Sequence, residues 1–131
     1  MPHIAAVLTD FNFSRTAVMD WIQPGEHFEF APVNDELWHR RDVIYAVVDM
    51  TAGRTLFVGH TGNELRIGLA DLTRWLNGKR KKDLNAPIRG DWLDCLRGCT
   101  PQRVEVWAKP AEAYREAEAD RWIESLTPSL K

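Results

Sequence analysis

Four groups of residues in this sequence have types and spacing that could do chemistry. His60, Thr61 and Asn63 follow directly on an apolar run. A strand ending there would aim them at solvent, where a site is expected. Lys79-Arg80-Lys81-Lys82, with Arg74 and Arg89 flanking, is the most basic run of the chain. Such a run either solubilises a loop or tracks a phosphate backbone, fixing position without reading sequence. Cys95 and Cys99 would share one helix face, yet no second Cys or His pair stands at zinc-ligand spacing. They read as two reduced, partly buried thiols. Glu112, Glu116 and Glu118 read, taken alone, as the solvated face of an amphipathic helix.

The elements that must position these residues are legible from Asp42 onward. Asp42–Asp49 is almost continuously apolar, as a strand covered on both faces would be. Thr51–Gly53 turns the chain, and Arg54–Gly59 pairs back. A helix follows from about Gly62, with Leu65, Leu69, Leu72 and Leu76 on one stripe, ending at Asn77–Gly78. Asn85 caps a second helix, with Pro87 early, Ile88, Trp92, Leu93 and Leu96 facing inward, and Gly98 closing it. Trp75 and Trp92, near the basic run, could stack on bases, although their helix spacing points both into the core. Gln102–Trp107 is a third strand, and a last helix opens at Pro110 or Ala111 and runs to Leu126 before Pro128. Residues 1–41 are less regular. Ile4–Leu8 is an apolar run, and Ser14 caps a short predicted helix through Ile22 that stops at Pro24–Gly25. Phe28–Phe30 alternates like a strand, and Asn34 or Asp35 starts one helical turn. The expectation is an α+β fold with a small three-stranded antiparallel sheet flanked by helices. Residues 1–41 would be an extension packed on a domain spanning 42–131.

The totals agree with a single domain. A chain of 131 residues, 44% of them apolar, buries enough surface to fold without staples. A net charge of −2 is not that of a dedicated nucleic-acid binder, although a local basic patch suffices for phosphate contacts. No apolar run reaches the roughly 18 residues of a membrane span, and the N-terminus does not read as a signal peptide. No membrane partner and a cytoplasmic location are the expectations.

The element order and its particular residues resemble the GIY-YIG nuclease superfamily, from about Asp42 to Lys131. Val43-Ile44-Tyr45 stands where that family has Gly-Ile-Tyr, and Phe57-Val58-Gly59 where it has Tyr-Ile-Gly, with Phe57 in place of the second tyrosine. His60-Thr61-Gly62-Asn63 is similar to the family's polar turn before its arginine helix. Leu126-Thr127-Pro128-Ser129-Leu130-Lys131 is similar to its closing Pro-x-x-Asn segment. Arg66 and Glu118 each stand one residue from the family's usual phase.

The resemblance implies a metal-dependent endonuclease hydrolysing phosphodiester bonds in DNA with one divalent ion, Mg²⁺ or Mn²⁺. It implies that Tyr45 activates the attacking water and that His60 helps deprotonate Tyr45 or contacts phosphate. It assigns Arg66 to the scissile phosphate and Glu118 to the metal. In a nuclease, Arg74 and the run Lys79, Arg80, Lys81 and Lys82 would then track the phosphate backbone. Phosphodiester hydrolysis needs an activated water, a cation on the developing charge and a metal near the scissile oxygens. Arginine's planar fork suits phosphate. Other readings stand beside this one. The chain could be a catalytically degenerate module that binds nucleic acid or a protein. It could also be a structural subunit whose residues 1–41 form a homo-oligomer interface.

Overall fold

The computed structural model describes residues 4–22, 27–76, 86–99, 103–112 and 114–129. Its centre is β3 (Val43–Asp49), buried at every position. β4 (Arg54–Thr61) pairs with it antiparallel on one side and β5 (Val104–Pro110) on the other. The adjacent antiparallel pairing expected of the first two apolar runs is present. The turn between them is held by Asp49, whose Oδ1 accepts from the Thr51 and Ala52 amides, and by Gly53 at φ +67°.

The sheet is α+β as expected, but has five strands where the sequence suggested three, in the order β2-β1-β5-β3-β4. The additional strands come from the N-terminal segment. β1 (Ser14–Ile22) lies against β5, and β2 (His27–Pro32) lies outside β1, both antiparallel. Ser14–Ile22 is therefore a strand and not the helix that Ser14 seemed to cap. Its β-branched Thr16 and Val18 suit a pleated surface. Ala17 and Met19, two apart, enter the core, and a register shift between Arg15 and Ala17 adjusts the strand to β5.

Helices cover both faces. α1 (Ile4–Asp10) and α5 (Arg115–Leu126) lie on one face, and α3 (Leu65–Leu76) and α4 (Ala86–Arg97) on the other. α2 (Asp35–Trp38) is the predicted single turn, capped by the Asn34 side chain accepting from the Glu36 amide. The two faces define two cores. Val43, Tyr45, Val47, Leu56 and Val106 pack with Leu65, Leu69, Leu76, Trp92 and Leu96. Ile44, Ala46, Val48, Val58 and Trp107 pack with Leu8, Phe13, Ala119 and Leu126. The alternation of neighbouring β3 residues between these clusters is the pleat of a central strand.

Two boundaries differ from expectation. α3 begins at Leu65, three residues after Gly62, because Thr61 Oγ1 takes the Asn63 amide in a turn of its own. α5 begins at Arg115, since Pro110 is still paired with Val43 and the Ala111 amide donates to the Asp42 carbonyl. The predicted caps at Asn77–Gly78 and Asn85 lie outside the described residues. Cys95 and Cys99 are both free thiols, as expected.

Candidate functional site

The polar site is built at the end of the sheet where β3 begins. Ile44 pairs with His60 on one side and with Lys109 on the other, so the three form a row across the sheet. Directly opposed residues point to the same face, and Ile44 belongs to the α5-side core. α5 covers that row with Arg115, Glu118 and Trp122, at the i, i+3, i+7 spacing of one helix face.

The centre of the arrangement is a buried ion pair. Lys109 Nζ lies 3.6 Å from Glu118 Oε1 and 3.8 Å from Glu112 Oε1. The Lys109 and Glu118 side chains are 6% and 3% exposed, so water does little to screen them. Glu118 Oε2 accepts from the Glu112 backbone amide at 2.8 Å. The ammonium also lies 4.9 Å from the Trp122 ring centre and 6.0 Å from that of Phe13, within range for cation–π attraction. Beside the pair is a cavity of about 280 Å³ lined by Lys109, Glu112, Glu118, Arg121, Trp122 and Ser125.

Arg115 donates to Asp42 Oδ1 at 2.8 Å, and its guanidinium lies over Gly62, where a Cβ would come within 3.0 Å of it. Asp42 adopts φ +56°, a conformation aspartate tolerates better than most residues. These contacts tie the start of α5 to the starts of β3 and α3. His60 Nδ1 is buried with no hydrogen-bond partner among the described residues.

Tyr45 is on the other face. It is 6% exposed and belongs to the core beneath α3 and α4. Its ring passes over Gly59, where a Cβ would meet the phenol at 2.6 Å. The ring centres of Tyr45 and Phe57 are 6.1 Å apart, those of Phe57 and Trp92 4.5 Å, and those of Trp92 and Trp75 5.4 Å. Burial pushes the Tyr45 phenol up from 10.0 to about 12. The glycine of the second motif is thus required by the tyrosine of the first.

Arg66 is on the Tyr45 side of the sheet, but on the outer surface of α3. It is exposed on the first turn of α3 and donates to both oxygens of Glu64, at 3.4 and 3.1 Å. That hydrogen bonding holds the Glu64 carboxyl below its ordinary range. With Glu29, Phe30, Trp38, Thr73 and Arg74, Arg66 lines a groove of about 330 Å³ between α3 and β2. Arg74 is exposed on the last turn of α3, 4.0 Å from Asp71. Lys79, Arg80, Lys81 and Lys82 lie outside the described residues.

The structure therefore brings His60 and Glu118 to one face and leaves Tyr45 and Arg66 on the other. Glu118, which taken alone read as a solvated helix residue, is among the most buried charges of the described residues. The residue that sequence reasoning missed is Lys109. Its signal was present: the alternation of β5 puts Glu105, Trp107 and Lys109 on the face opposite Val104, Val106 and Ala108. A lysine in line with a core tryptophan needs a buried partner.

Among the described residues no three His, Cys, Asp or Glu side chains come together as a metal cluster. The donor set nevertheless fits a hard divalent ion bound through substrate. Mg²⁺ takes one or two carboxylates and completes its shell with water and phosphate oxygens. Glu118 and Glu112 flank one position that a cation, the Lys109 ammonium, already favours.

Comparison with solved structures supports the same architecture. A glutamate-to-alanine mutant of bacteriophage T4 EndoII, a GIY-YIG nuclease, superposes with a TM-score of 0.71. The match covers 99% of each chain at 19% sequence identity. The fold is GIY-YIG-like. No protein-family model matches the sequence, and no curated protein matches it. The match spans the N-terminal strands as well, so the five-stranded arrangement has a counterpart among solved structures. Among the described residues no helix is long and apolar enough to cross a membrane.

Proposed function

We propose that this chain is a divalent-metal-dependent endonuclease that hydrolyses phosphodiester bonds in DNA, with its reaction centre on the α5 face of the sheet. The observation that carries this reading is the buried Lys109–Glu118 pair beside a solvent cavity. Buried ion pairs are poor stabilisers, so a pair kept buried beside a cavity points to a role other than stability. The GIY-YIG-like fold supplies the reaction class.

In this reading Glu118, with Glu112, would hold the metal ion, which supplies charge stabilisation on the phosphate in the transition state. Lys109 and Arg121 face the same cavity and offer donors to phosphate oxygens. His60, on the same face as Lys109 and with its buried Nδ1 unpartnered among the described residues, would help take the proton from the attacking water or contact the phosphate. Tyr45 is assigned to positioning: its ring fixes β4 against β3 through Gly59. A phenol at about 12 is not a base at neutral pH without a cation beside it. Arg66 and Arg74, on the groove between α3 and β2, are assigned to backbone phosphates.

A second reading has an observation of its own. Tyr45 and Arg66 are separated from Glu118 by the sheet, as expected of a module that kept the fold and binds DNA without cutting it. A supercoiled-plasmid assay decides. Relaxation in Mg²⁺ or Mn²⁺ but not in EDTA is the expected result, and plasmid left fully supercoiled in both ions would sink the nuclease reading.

A further inference from the structure

Lys109 does more in this site than fill space. Its ammonium faces one carboxylate that is almost fully buried and a second, Glu112, that is largely exposed. The distances of 3.6 and 3.8 Å are those of ion pairs without a tight hydrogen bond. The Glu118 oxygen that faces Lys109 is not the one held by the Glu112 amide. One carboxylate oxygen is thus fixed by the backbone, and the other is turned toward a cation that is tethered to β5.

A tethered cation at that place has a consequence for metal binding. Any divalent ion reaching Glu118 would meet a positive charge a few ångströms away, in surroundings that screen it weakly. The ammonium must leave first. Its four-carbon stem can swing, and the adjoining cavity holds Arg121 as well as Glu112. A phosphate group entering that cavity offers the ammonium a new partner of the right sign.

We propose that Lys109 is a built-in counter-ion for Glu118. It keeps the carboxylate from divalent cations in the free protein and releases it when a phosphate anion draws the ammonium into the cavity. Metal and phosphodiester then bind as a coupled pair. This rests on the nuclease reading for the metal at Glu118 and for the anion, while the place of the ammonium against Glu118 is given by the geometry.

The test is Mn²⁺ binding to the full chain, followed by the loss of the free-ion electron paramagnetic resonance signal. Lys109→Met should bind Mn²⁺ about tenfold or more tightly than the wild type. Lys109→Gln, which keeps a polar group beside Glu118, should do the same if the methionine variant does not fold. Lys109→Arg, which keeps the charge, should bind as weakly as the wild type. Adding Glu118→Gln to Lys109→Met should abolish the gain. A phosphorothioate-linked dinucleotide should raise the Mn²⁺ affinity of the wild type by a larger factor than that of Lys109→Met, where only direct ligation of the metal is left; equal factors would overturn the coupling. Equal Mn²⁺ affinity in the wild type and in the folded neutral variants would overturn the proposal, as would a gain that survives Glu118→Gln. These results are separable from the nuclease reading: the Mn²⁺ pattern is read without cleavage, and plasmid relaxation is read in the wild type alone, whatever the Lys109 variants do.

Discussion

The two faces of the sheet are built from the same three strands, β3, β4 and β5, and have opposite characters. Under α3 and α4, Tyr45, Phe57, Trp92 and Trp75 form a chain of ring contacts, closed by leucines. Under α5, the corresponding depth holds Lys109 and Glu118 beside Trp107 and Trp122. A buried phenol among aromatic rings lowers the energy of the fold. A buried ammonium–carboxylate pair does so only weakly, because desolvation offsets most of the attraction. The difference teaches that the residue most prominent in the sequence motif, Tyr45, is packed among rings, while the buried charges lie where the sequence looked like plain strand and helix surface.

The largest effect should come from cutting into the aromatic face. Tyr45→Ala is expected to cost about 3–5 kcal/mol, as for other large aromatic truncations, read as a lower urea midpoint at unchanged slope. Tyr45→Phe should stay within about 1 kcal/mol of the wild type at neutral pH, since it keeps the ring.

High pH sharpens the same contrast. Tyr45 ionises near 10.0 when unfolded and near about 12 in the fold, because burial disfavours the phenolate. Its contribution is therefore whole below pH 10 and is lost as pH rises toward 12, at about 1.4 kcal/mol per pH unit. Cys99, pushed to about 11 by burial first and then by Asp49, tilts stability the same way from 9.0 upward. The measurement is thus a comparison of wild type and Tyr45→Phe, both carrying Cys99. The variant should show the shallower loss, and parallel curves would mean Tyr45 is solvated.

Gly59→Ala should cost about 1–3 kcal/mol by overpacking, since its Cβ would lie 2.6 Å from the Tyr45 phenol and 2.7 Å from Phe57. Combined with Tyr45→Leu the two losses should be less than additive, which a double-mutant cycle in urea reads directly.

The smallest effect concerns affinity. Replacing Lys79, Arg80, Lys81 and Lys82 with alanine should weaken DNA binding for all sequences alike. Each lost phosphate contact should lower the log–log salt slope by about 0.9. An unchanged slope would show that the run is only a solvated surface.

How much of this was legible follows the physics of each signal. β3, β4, β5 and the leucine stripe of α3 could be read because their burial is written in hydrophobic periodicity. β1 could not, because Ser14 is an equally good cap, and only pairing with β5 and β2 selects the strand. The motif residues Tyr45 and Gly59 were found by resemblance, but their mutual contact is a property of the register. The Lys109–Glu118 pair was half visible. Glu118 was singled out by the resemblance, whereas its partner lies on a strand that only the tertiary fold brings alongside.

The central claim is that the α5 face carries the reaction and the α3 face supports it. Its most direct measurement is nicking of supercoiled plasmid in Mn²⁺ by wild type, Glu118→Gln and Tyr45→Phe at equal concentration and neutral pH. The account predicts that Tyr45→Phe nicks at close to the wild-type rate and that Glu118→Gln, still folded, is slower by about 10²–10³-fold. A Tyr45→Phe protein that is folded but inactive, beside a Glu118→Gln protein that still nicks, would contradict it.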